Sequence, residues 1–195
     1  TPAAAEPTAQ QASPSEQLDA VLAGQSDADK ARYAARHPKE MLEFFEVKPG
    51  MTVVDTLPGD VWFAGILRDY LGPQGKVIAA DYSKEMWQLF GDYSPKPEEK
   101  AKWAAEFTSK MEAKRGADDA PVVAVHFSEI PEDLAGTADV ILVSRAVHHW
   151  MRLEDKGQWM TQALADMNKM LKPGGIVGVE AHRAPETASD AWAKG

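Results

Sequence analysis

Two carboxylates close apolar runs: Val53-Val54-Asp55, followed by a Pro58-Gly59 break, and Val77-Ile78-Ala79-Ala80-Asp81. A third run, Val140 to Ser144, leads into Arg145, His148, His149 and Trp150, and a fourth leads into Glu180 and His182. Histidine is the side chain best suited to remove a proton from an attacking group near neutral pH, so His148 and His149 are candidate general bases. Together with Glu180 and His182 they also contain donor types that could hold a metal. No HxxxH or HExxH spacing supports that reading, and no metal site is expected. With no cysteine in the chain, thiolate catalysis, disulfides and Cys-based zinc sites are excluded.

The elements that must position these groups follow from the pattern around them. Met51 to Thr56 reads as a strand, Val61 to Leu71 as an amphipathic helix, Gly72-Pro73-Gln74-Gly75 as a turn, and Val77 to Asp81 as a second strand. Strand, tight loop, helix and strand within about thirty residues make a βαβ unit, over whose carboxyl ends a nucleotide-like ligand sits. Function is therefore expected at Asp55 to Phe63 and at Asp81 to Ser83.

Before that unit, Ser15 onward is helical, a second helix runs from Ala28 to Arg36 behind a Ser26-Asp27 cap, and His37-Pro38 restarts a third with Met41, Leu42, Phe44 and Phe45 on its apolar side. After it, residues 83–90 and 98–115 read as helices within an unusually long crossover. The longer of them carries Ala101, Trp103, Ala104, Phe107 and Met111 on or near one stripe and is expected to cover the ligand or pack on the core. Strands at 122–127, 139–144 and 176–181, an exit loop at 145–150 and a helix at 158–171 complete the pattern. The expected architecture is a Rossmann-like, doubly wound, mostly parallel sheet of order 3-2-1-4-5 with helices on both faces and later strands absent.

The chain has 195 residues, enough for one domain with a real core. Segment 1–14, rich in small residues and proline, is expected to be disordered, and 15–195 to form the domain. The opening TPAAAEPTAQQASPSEQ resembles the N-terminus left by a signal peptidase, which implies a periplasmic or secreted location. A net charge of −9 without a Lys/Arg-rich stripe argues against a nucleic-acid partner and for a small-molecule substrate, and no apolar run approaches the ~18 residues of a membrane span.

In order, the strand-end acid, the Pro-Gly loop, the second strand-end acid in AADYSKEMW, the apolar fourth strand and the Leu171-Lys172-Pro173-Gly174-Gly175 turn resemble class I S-adenosylmethionine-dependent methyltransferases. The resemblance runs from about His37 to Arg183. It is similar to a branch of bacterial methyltransferases, often with export signals, through His37-Pro38, Phe44-Phe45, Lys48 to Val54 and His182 to Glu186. It implies S-adenosylmethionine as cofactor, with Asp55, Leu57, Pro58, Gly59, Asp81, Tyr82, Ser128 and Arg145 around it. Asp81 would accept from the ribose hydroxyls, and Phe127, Ser128 or Glu129 would lie near the adenine.

The superfamily's glycine loop is degenerate here. Where acid-x-Gly-x-Gly-x-Gly is usual, this chain has Asp55-Thr56-Leu57-Pro58-Gly59-Asp60-Val61. Asp60 and Val61 are the expected points of strain, at ~1–3 kcal/mol if either takes a positive φ. Asp60 would also set a negative charge where the methionyl carboxylate binds. The alternative implied is a non-catalytic ligand-binding protein on a degenerate methyltransferase scaffold.

Overall fold

The structure, a computed structural model, describes residues 12–189. Helix α1 (Pro14–Gly24) begins with a reciprocal capping box between Ser13 and Glu16 and buries Leu18 and Leu22. Of the segment expected to be disordered, 1–11 lies outside the described residues, as does 190–195 with Trp192, while Pro14 already belongs to α1. The helix expected at 28–36 is two short pieces, α2 (Asp27–Lys30), capped by Ser26, and α3 (Tyr33–Arg36). His37 ends α3 at φ 44, and Pro38 opens α4 (Pro38–Phe44). Leu42 of α4 is buried, whereas Phe44 is 79% exposed and not part of the apolar side assigned to it.

Then follow β1 (Thr52–Thr56), α5 (Trp62–Leu71), β2 (Lys76–Asp81), α6 (Lys84–Trp87), a 3-10 turn over Gln88–Tyr93, α7 (Pro97–Glu112) and β3 (Val122–His126). After β4 (Ala138–Ser144) the segment expected to be a loop turns into α8 (Val147–Leu153), because Trp150 and Leu153 have a core face to fill. Helix α9 (Trp159–Met170) runs directly into β5 (Leu171–Glu180). The LKPGG turn is thus the irregular start of that strand, with Gly174 at φ 84 and a register shift opposite Ala138 and Val140.

The five strands are all parallel, in the expected order β3-β2-β1-β4-β5. Alternate residues feed two cores. Val53, Val77, Ala79 and Leu142 pack with Ile66 and Leu67 of α5 on one side, and Val54, Ile78, Ala80 and Ile141 with Trp150 and Met167 on the other. That double burial explains why the strands read as continuous apolar runs.

The two outer strands differ. Along β3, the Val122 amide donates to Glu112 Oε1 (2.8 Å) and the Ala124 amide to Thr108 Oγ1 (2.9 Å). The His126 ring lies between the carbonyls of Tyr82 (2.9 Å) and Lys100 (3.0 Å). Helix α7 therefore covers that edge. On β5, Ile176 and Val179 are exposed.

Candidate active site

A cavity of about 660 Å³ opens at the carboxyl ends of β1, β2 and β4. From β1 the chain crosses to β2 on one side, and β4 lies on the other, so the cavity sits at the switch point where parallel sheets take their ligands. Its volume is that of a small-molecule site.

The exit of β1 supplies the floor. Asp55 is 4% exposed, and its Oδ2 has no hydrogen-bond partner. Burial, with a smaller contribution from the Asp60 charge, pushes its carboxyl up to about 7. Beyond it the Leu57 amide donates to the Ala80 carbonyl at 2.7 Å, holding Leu57 at φ 53, and Gly59 follows at φ 60. Asp60 Oδ1 accepts from the Trp62 amide at the start of α5 (3.0 Å), while Oδ2 meets Arg32 Nη1 (2.8 Å). The Arg32 guanidinium also lies 4.4 Å over the Trp62 ring.

These contacts correct the expected location of strain. Val61 has φ −80, and Asp60 is not among the positive-φ residues. The left-handed residue is Leu57, at a cost of about 1–2 kcal/mol for a non-glycine residue. Nor is Asp60 a bare misplaced charge, since Arg32 pairs with it and its other oxygen accepts from the Trp62 amide in the first turn of α5.

At the exit of β2, Asp81 is buried and fully engaged. Its Oδ2 accepts from Lys100 Nζ at 2.5 Å and from Trp87 Nε1 at 3.1 Å, and its Oδ1 from the Tyr82 amide at 2.9 Å. Tyr82 stacks on Phe90 at 5.4 Å. Its hydroxyl is buried without a partner, and burial raises its pKa. At the exit of β4, Arg145 takes φ 53 as its amide bonds the Glu180 carbonyl at 2.7 Å. The His148 and His149 rings then stand 3.9 Å apart. Burial, the neighbouring His148 and Arg152 lower His149 to about 4, and burial, Arg152 and His182 lower His148.

The cavity gathers Asp55, Leu57, Pro58, Gly59, Asp81, Tyr82, Arg145, His148 and His149. Ser128 does not line it. Its backbone, at φ 73, is tied to Asp166 Oδ2 at 2.6 Å. Phe127 is buried against Trp150 at 5.3 Å, and Glu129 pairs with Lys84 at 2.7 Å. Among the described residues no cluster of three or more His, Asp or Glu is placed to hold a metal.

Sequence reasoning missed the contributions of Arg32, Arg36 and Met41 from the N-terminal helices, and of Trp87 and Lys100. Lys100 had a signal: 100, 104, 107 and 111 share one helix face, so it is a lysine at the head of an apolar stripe. The arginines had none, because no local pattern tells which turn of a short helix faces a sheet 20 residues away.

No protein-family model matches the sequence, and no curated protein does. Solved structures do match. A SAM-dependent methyltransferase from Aquifex aeolicus aligns at 21% identity and TM-score 0.50, over 90% of this chain and 79% of its own. The arsenic(III) S-adenosylmethionine methyltransferase CrArsM of Chlamydomonas reinhardtii aligns at 13% and 0.49, over 88% and 52%. The aminoglycoside resistance methyltransferase NpmB1 aligns at 24% and 0.42, over 72% and 60%. The chain thus spans about half to four fifths of the length of these proteins. The strand order, the cavity at its switch point and the Aquifex aeolicus likeness together show that this chain has the Rossmann-like fold of class I S-adenosylmethionine-dependent methyltransferases.

Proposed function

We propose that this chain binds S-adenosylmethionine and transfers its methyl group to a small-molecule acceptor. One observation carries the reading. Asp55 and Asp81 end adjacent parallel strands over a single cavity, and Asp55 keeps a buried oxygen with no partner. A buried carboxylate oxygen without a donor is costly, and a ligand ammonium group would relieve it. Asp55 thus fits the amino end of the cofactor. Asp81 fits the ribose hydroxyls where Lys100 gives way to them.

When bound, the cofactor supplies a methyl group on a sulfonium sulfur, activated for direct displacement. What the chain must do is orient the acceptor and exclude water. The walls for that task are Tyr82, Trp87 and His149. His149, held near 4, is neutral at pH 7 and a weak base, so it serves as a hydrogen-bonding wall. His148, more exposed, is the candidate to accept a proton from an acceptor that carries one.

Calorimetric titration with S-adenosylmethionine and S-adenosylhomocysteine tests the reading. The expected result is saturable binding at about 1 mM or tighter. No heat at millimolar ligand, with the protein folded by circular dichroism, would overturn it. The second reading, a non-catalytic binding protein on this scaffold, is favoured by Leu57 at the left-handed position and by the engagement of Asp81 with Lys100. It predicts that adenosine ligands fail to bind.

A further inference from the structure

The charges around the cavity are sorted by strand. At the β1 and β2 exits Asp60 pairs with Arg32 at 2.8 Å and the buried Asp81 with Lys100 at 2.5 Å, while among the described residues the buried Asp55 has no cation. From the β4 and β5 exits the lining is cationic or neutral, Arg145, His148, His149 and His182, and Arg36 of α3 lines the same cavity. Arg36 and Arg145 are half-buried, and among the described residues neither forms an ion pair. Glu180, at the end of β5, accepts from Ser144 Oγ at 2.5 Å and is exposed. Burial lowers His148, and Arg152 and His182 add to that shift.

A guanidinium presents a planar fork of donors that matches the two oxygens of a carboxylate, and in a partly dehydrated concavity that match is stronger than in water. Two such forks without carboxylates, in a protein of net charge −9, form a local feature that the overall composition does not require. Strand order puts Arg145, which follows β4, on the far side of β1 from Asp81, and Arg36 of α3 lines the same cavity. We propose that the acceptor is a small organic carboxylate, held by Arg36 and Arg145 with His148 and His182 beside it. This rests on the methyltransferase reading above. The negative charge of the chain as a whole opposes a polyanion and leaves a small anion as the partner that fits.

The same chemistry has a second source, the carboxylate of the cofactor itself, and the experiment separates the two. Benzoate and succinate, each against its neutral amide, are titrated into the protein saturated with S-adenosylhomocysteine. At least one carboxylate is expected to bind tenfold or more tightly than its amide. Arg36→Gln and Arg145→Gln should each weaken it fivefold or more, and Arg36→Gln should keep S-adenosylhomocysteine affinity within twofold. Arg36→Lys and Arg145→Lys, which keep the charge but lose the fork, should fall between and guard against a folding artefact.

A loss of S-adenosylhomocysteine affinity in Arg36→Gln, not shared by 5′-methylthioadenosine, would assign that arginine to the cofactor and overturn the proposal. Equal binding of acids and amides would overturn it too, as would tighter binding of a short RNA than of either acid. Arginine-dependent carboxylate binding in a protein that gives no heat with S-adenosylhomocysteine would leave the anion site standing and sink the methyltransferase reading alone.

Discussion

Lys100 Nζ sits 2.5 Å from Asp81 Oδ2 and 3.9 Å above the Trp87 ring, so a helix remote from the β1 loop supplies the counter-ion of the acid at the end of β2. A ligand diol and this ammonium compete for one oxygen.

Lys100→Met should therefore strengthen S-adenosylhomocysteine binding by about tenfold, the size of one charge-assisted hydrogen bond no longer displaced. The same variant leaves Asp81 buried without its cation and should lower stability by about 3–5 kcal/mol. Adding Asp81→Asn should recover much of that stability while abolishing the gain in affinity. Calorimetry and denaturant melts on the single and double variants check both.

Asp55 makes binding and stability depend on pH in opposite senses. Its folded carboxyl is raised from 3.8 to about 7, so between about pH 4 and pH 7 the native state keeps a proton that the unfolded chain has lost. Stability from this group is therefore lost as pH rises through that window, by on the order of 4 kcal/mol at most. Asp55→Asn should melt higher than the parent at pH 8 and equally at pH 4. Cofactor binding needs the ionised form, so the parent's affinity should fall about tenfold from pH 8 to pH 6, and the Asn variant should show no such dependence.

At Leu57 the usual ranking of alanine over glycine should invert. The φ of 53 penalises any Cβ, so Leu57→Gly should be about 1 kcal/mol more stable than Leu57→Ala, although glycine has the more flexible unfolded chain. Asp60→Gly should destabilise by about 1 kcal/mol, since it removes the acceptor of the Trp62 amide and the partner of Arg32. Urea melts of the three variants decide it.

His149 should leave no mark on a pH–rate profile between pH 5 and pH 8, because burial, His148 and Arg152 hold its pKa near 4. His149→Gln should keep the profile's shape. A limb near pH 6.5 that vanishes in this variant would restore His149 as a proton acceptor.

The sheet and its order were legible because each strand had to be buried on both faces and each crossover had to return on the same hand. Asp55 and Asp81 were legible for the same reason, as polar residues ending runs that otherwise tolerate none. The positions that escaped depend on long-range partners. Whether Asp60 was a misplaced charge depended on Arg32, 28 residues earlier. Whether Asp81 was open depended on Lys100, 19 residues later. Helix α8 was misread as a loop because the demand for Trp150 comes from the facing core, not from its neighbours in sequence.

The stitching of α7 along β3 constrains how this crossover can change in length. Two strand residues advance about 6.6 Å and four helical residues about 6.0 Å, so Val122 and Ala124 find Glu112 and Thr108 on successive turns of a helix that acts as a surrogate neighbouring strand. Adding or removing one residue between Lys100 and Thr108 would swing one set of contacts about 100° off the strand edge. Connections between strands ordinarily tolerate such changes, but this one should accept them only outside that span, in the turn at Gln88–Tyr93 or beyond Glu112.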